Sequence, residues 1–132
     1  MTRSLVILSG LLLLAANAAA APFGDMTALD IRVENAGDAT LDCQAEVAHW
    51  FSADLGDVAP AGAATLDLWI DEATGTVATR NALGEFLPVE RVWCGVKGRA
   101  YDTRWMIPLP RDTAVVTLAC AVQANGVRVV CE

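Results

Sequence analysis

The sequence predicts an all-β fold, an antiparallel sandwich or small barrel of seven or eight short strands, and three observations carry that expectation. Several runs alternate apolar and polar residues with a period of two, the pattern of a strand with one buried face. Beyond residue 21 no sustained stretch shows helical periodicity. Turn signals recur at close spacing, which suits layers of short strands. The 132 residues, 55% apolar and 19% charged, fit one globular domain and exclude a long disordered tail or a collagen-like repeat.

The N-terminal segment reads differently. Arg3 precedes the apolar run Leu5 to Leu14, and the small residues Ala15 to Ala21 lead to Pro22. That is the layout of a helical, cleavable secretory signal peptide over residues 1–21, leaving one domain over 22–132. Cutting after Ala20 or Ala21 fits the small-residue pattern, and Ala19 fits almost as well. A membrane anchor needs about 20 apolar residues, which the run reaches only if Asn17 is forgiven. No cysteine follows the cut, so no lipid anchor is indicated.

Removing the segment takes away Arg3 and leaves eight basic side chains against 16 acidic ones, a net charge of −8. Nucleic acids and anionic membranes need a basic stripe, so both are excluded as partners. Another extracytoplasmic protein, and a cationic one by charge, is the partner this balance favours, although most such charge merely solvates a surface. The expected location is the periplasm or the exterior.

Strands follow in order. Leu29, Ile31 and Val33 alternate with Asp30, Arg32 and Glu34, and Asn35 to Asp38 form a turn. A second strand puts Leu41, Cys43, Ala45, Val47 and Phe51 on one face and Asp42, Gln44 and Glu46 on the other. Ser52 to Gly62, rich in Asp, Gly and Pro, reads as a loop. Ala64 to Ile70 turns Leu66, Leu68 and Ile70 inward. Thr74 and Gly75 mark a turn, Thr76 to Thr79 a short strand, and Asn81 to Glu85 a loop. Val89–Val96 and Ala100–Ile107 then read as strands around Lys97 and Gly98, ended by Pro108 and Pro110. Two β-branched runs joined at Asn125 and Gly126 close the chain as a hairpin with a two-residue type I′ turn.

The segments NAGDATLDCQAEV and DVAPAGAATLDLWI, an extended run ending in Asn-x-Gly and then a proline-alanine-glycine turn before alternating leucines, resemble bacterial immunoglobulin-like modules of the cell-adhesion-related type. The resemblance spans Ile31 to Ile70. It implies an immunoglobulin-like sandwich serving as a spacer or interaction domain without catalysis. The C-terminal half, with its cysteines and hairpins, departs from that pattern.

Cys43, Cys94, Cys120 and Cys131 are an even set in a small exported domain, so two disulfides are expected. In a hairpin turning at Asn125 and Gly126, facing residues have numbers with a constant total, and Cys120 with Cys131 meets it. They should therefore face each other with Cα atoms about 5.5 Å apart, close enough to bridge. Cys43 is left for Cys94. No Cys-x-x-Cys pair exists and only one histidine is present, so no metal is expected.

Chemistry has few parts to work with. After cleavage Ser52 is the only serine and His49 the only histidine, and there is no nucleophile elbow, phosphate loop or zinc-protease helix. No cofactor is implied. A small carboxylate-dependent hydrolase of glycosidase type is the alternative function, since two suitably spaced acids suffice for it. His49, at a strand end beside Trp50, reads as a rim histidine bonded to a loop, or else as a copper or ligand contact with Met26 or Met106. Trp50 and Trp69 fall out of phase with their strands' apolar residues and should face outward, and Trp93, beside inward Cys94, follows the same logic. With His49, these indoles are the candidate binding residues, either as an exposed patch or packed beneath loops. Trp105 takes no position from the sequence.

Overall fold

The computed structural model describes residues 23–48, 51–112 and 115–132, and within them the chain forms nine strands and no helix. They are β1 (Met26–Asn35), β2 (Leu41–Val47), β3 (Phe51–Val58), β4 (Ala63–Asp71), β5 (Thr76–Arg80), β6 (Phe86–Val96), β7 (Trp105–Ile107), β8 (Val116–Val122) and β9 (Val129–Cys131). Hydrogen-bonded neighbours run β3-β2-β6-β5-β4-β1-β8-β9, with β7 beside β6. The segment read as a signal peptide lies outside the described residues.

Alternation decides what is buried. Leu29, Ile31 and Val33 of β1, Leu41, Cys43, Ala45 and Val47 of β2, and Leu66, Leu68 and Ile70 of β4 are all within one core. Each Leu, Ile or Val withdrawn from water in this way contributes about 1.5–3 kcal/mol. The intervening Asp30, Arg32, Glu34 and Asp67 stay exposed.

β6 joins two ladders. Phe86–Pro88 pair with β5, while Val89 onward pairs with β2 on one side and β7 on the other. Between these partnerships the register slips: Val47 faces Val89 and Glu46 faces Arg91, so Glu90 is the extra residue of a β-bulge. The slip resets the phase, which lets Val89, Val92 and Cys94 all reach the core.

Several expectations are corrected. The sheet is mixed rather than antiparallel, because β1 runs parallel to β8, Ile31 facing Val116 and Asn35 facing Cys120. Side-chain alternation carries no information on strand direction. The Ser52–Gly62 loop is instead largely β3, an edge strand whose loop-like composition serves a bulge: Leu55 is the extra residue, Gly56 has φ 102°, and its N–H donates to Asp54 Oδ1 at 2.8 Å. Phe51 is 59% exposed, since β2 ends at Val47 and Ala48 turns the chain at φ 51°. Ala100–Ile107 is mostly a folded loop, with only Trp105–Ile107 in a strand.

Both disulfides form as expected, Cys43–Cys94 between β2 and β6 and Cys120–Cys131 between β8 and β9. The last hairpin has the expected register but a different turn. Gly126 N–H donates to Gln123 O at 2.8 Å, Gln123 N–H to Arg128 O at 2.9 Å, and Gly126 alone in the turn has positive φ, whereas a type I′ turn needs it at Asn125 too. A four-residue loop centred on the same two residues keeps the same pairing.

Asn35 shows why the first turn holds. Its buried amide donates to Ala39 O at 2.8 Å and Val58 O at 3.0 Å, its Oδ1 accepts from Gly37 N–H at 3.0 Å, and its own N–H reaches Gly62 O at 2.8 Å. One side chain thus ties the β1–β2 turn to the end of β3, with its polar atoms satisfied.

Candidate functional site

The outward face of β4, β5 and β6 carries the principal aromatic cluster among the described residues. Alternation in β4 turns Leu68 and Ile70 into the core and leaves Trp69 half-buried on the other side, as its phase predicted. Opposite it in β5 stands Ala78, small enough to be covered completely by its neighbours. Beyond Ala78, Arg80 faces Phe86 across the β5–β6 ladder.

The cluster is ordered by contacts of known kind. The Arg80 guanidinium lies 5.1 Å from the Trp69 ring centroid and 5.5 Å from that of Phe86, within cation–π range. Trp69 and Phe86 meet edge to face at 5.6 Å, and Phe23 meets Phe86 likewise at 6.0 Å. The Trp69 indole N–H donates to Asp67 Oδ1 at 3.0 Å. Asp67 in turn stands directly opposite Asp30 on β1. The face therefore offers flat rings and a guanidinium beside paired carboxylates.

The other candidates fall elsewhere. Trp93 does point away from Cys94, and at only 5% exposed it takes the setting beneath a loop rather than that of an open indole. The loop from Lys97 to Arg104 folds over it, and Tyr101 meets its ring edge-on at 6.2 Å. The same loop lies on Gly95, where a Cβ would come within 2.0 Å of Ala100 O. Among the described residues the Trp93 Nε1–H has no acceptor. His49 and Trp50 lie outside the described residues. β2 ends at Val47, before both. Met106, opposite Trp93, is 40% exposed, and Met26 faces Asp71. No group of three or more metal-ligating side chains occurs among the described residues. Trp105 packs against the core beside Cys94.

Arg80, Phe86, Phe23 and Asp67 were missed by the sequence reading. The signal existed: a register drawn from the Asn81–Glu85 loop, which closes with Asn81 N–H on Glu85 O at 2.9 Å, pairs Arg80 with Phe86.

A recess of about 230 Å³ beside the β4–β5 turn is lined by Asp25, Thr27, Asp71, Glu72 and Ala73. Both oxygens of Asp71 are occupied there, Oδ2 accepting Gly24 N–H and Oδ1 accepting Ala73 N–H, each at 3.0 Å. The Gly24 bond foremost, with help from Ala73 and Thr74, holds this carboxyl below its ordinary value of 3.8. That is the opposite direction from a general acid.

No protein-family model matches the chain, and no curated protein matches it either.

Proposed function

We propose that the chain is an exported, non-catalytic interaction module: a signal peptide cleaved after Ala20 or Ala21, then one domain over 22–132 working in the periplasm or outside the cell. Two disulfides are consistent with such an oxidising location. The finer architecture in this reading is an immunoglobulin-like sandwich, akin to the bacterial adhesion-related modules. It is supported by the way β6 serves two ladders whose inward residues share one core.

The observation that carries the function is the Trp69–Arg80–Phe86 face. A partly exposed tryptophan and an exposed arginine are of the residue types that dominate protein interfaces, and here they are already held in place by one another. The carboxylates Asp30 and Asp67 at its edge, on a chain of acidic balance, fit a cationic extracytoplasmic protein. The hydrolase alternative gains nothing from Asp71, whose oxygens are taken by backbone N–H groups.

Affinity capture from an extracytoplasmic extract tests the reading, with wild type, Trp69→Ala and Arg80→Ala as baits. The expected result is a cationic protein retained by wild type and lost from both variants, all three keeping the same circular dichroism. Equal retention by the variants removes this face from the reading. N-terminal sequencing of the exported protein checks the cleavage site.

A further inference from the structure

A second surface, independent of the Trp69 face, forms where the loop between β6 and β7 meets the β8–β9 turn. The loop is built rigidly. Thr103, almost wholly buried, accepts Val96 N–H at its hydroxyl (2.8 Å), donates that hydroxyl to Arg99 O (2.8 Å), and receives Val129 N–H on its carbonyl at 2.7 Å. Arg104 and Arg128 each lie one residue from that last bond, so they flank the same junction. Arg99 reaches across to Gly126 O at 3.4 Å. Three arginines of an acidic chain thus stand on the two segments that meet here.

Their surroundings are those of a contact surface. Tyr101 is 64% exposed and Val127 is 61% exposed. The Arg104 guanidinium stacks over the Tyr101 ring at 3.8 Å and also donates to Tyr101 O, which fixes ring and fork together. Among the described residues none of the three arginines enters an ion pair. Lys97, at the start of the loop, does not add to them, because Asp57 takes its ammonium. Asp102 is the one acid within the loop.

We infer that this junction is a docking surface for an acidic, partly apolar polypeptide segment. Guanidinium forks match carboxylates in bidentate pairs, and pre-ordered tyrosine and arginine side chains lose little freedom on binding. An extended polyanion fits poorly. Juxtamembrane lipid-binding clusters use about 4–8 basic residues, and the acidic remainder of this chain repels a phosphate surface, whereas a short segment touches the arginines alone.

Fluorescence anisotropy with a labelled peptide of glutamates around a central leucine tests the inference, its glutamine counterpart serving as control. Wild type is expected to bind the glutamate peptide at least about tenfold more tightly than the control, and more weakly as salt is raised. The triple variant Arg99→Glu, Arg104→Glu, Arg128→Glu should lose the binding, the milder triple Arg→Gln variant should weaken it, and Trp69→Ala should leave it unchanged. No binding by wild type overturns the inference, as does unaltered binding by the triple variants or loss on Trp69→Ala. Binding to phosphatidylglycerol vesicles or heparin in place of the peptide overturns it in favour of a polyanion.

Discussion

Cys120 and Cys131 face each other across β8 and β9 with Cα atoms 4.0 Å apart, closer than a turn-centred register alone suggests. The reason is which kind of pair they occupy. Ala119 and Glu132 exchange both backbone bonds, at 2.9 and 3.0 Å, so the next pair inward is the non-hydrogen-bonded, narrower one. Cys43 and Cys94 stand at a similar 4.1 Å. The two bridges differ chiefly in the loop they close, with sequence separations of 11 and 51. On the chain-entropy account, losing the first costs about 3 kcal/mol and the second about 4. Urea titration of the two Cys→Ala double variants should show the Cys43–Cys94 loss as the larger, and the reverse order would count against that account.

What was legible in the sequence was local. Leu29, Ile31 and Val33, or Leu66, Leu68 and Ile70, declare their buried face by alternation alone, and the Cys120–Cys131 pairing followed from a turn centre even though the turn type differed. What was not legible depended on distant partners. The parallel pairing of β1 with β8 joins strands far apart in sequence, Ile31 facing Val116. β3 looked like a loop because its bulge requires Gly56 and Asp54. Alternation turns Trp93 outward but does not decide between an open indole and a covered one, because it cannot foresee a loop folding over the outer face. The Arg80–Phe86 half of the aromatic face depends on the register across the Asn81–Glu85 loop, which alternation within one strand does not give.

The contact between Gly95 and Ala100 makes the loop sensitive to one methyl group. A Cβ at residue 95 would meet Ala100 O at 2.0 Å and its carbonyl carbon at 2.6 Å, distances backbone atoms cannot accept. Gly95→Ala must therefore lift the Lys97–Arg104 loop, at a cost of about 3 kcal/mol or more. Tryptophan emission should shift to the red as Trp93 meets water. An unshifted spectrum with unchanged stability would mean that the loop does not lie against β6.

Asp71 makes stability depend on acid in a defined direction. Its folded-state acidity lies below the ordinary 3.8, chiefly through the Gly24 N–H. A depressed carboxyl stabilises the fold fully above its unfolded value and loses that contribution as pH falls through the folded one. Wild type should accordingly exceed Asp71→Asn in urea midpoint at neutral pH, with the gap closing below about pH 4. A gap that persists undiminished in acid would detach the effect from ionisation.

Trp69 and Trp93 sit on outward faces of different strands, yet only one is covered. Trp69 is half-buried beside Arg80 and Phe86, so Trp69→Ala should cost about 1–2 kcal/mol of folding energy. Trp93 is enclosed by the loop and by Tyr101, so Trp93→Ala should cost about 3–5 kcal/mol. Its Nε1–H also lies buried without an acceptor among the described residues, a donor whose desolvation goes uncompensated. Trp93→Phe removes that donor while keeping most of the ring, and should recover the greater part of the alanine loss. Thermal melts of the three variants decide the matter. Equal losses for Trp69→Ala and Trp93→Ala would make Trp69 an ordinary packing residue and take away the basis for a binding face on β4, β5 and β6.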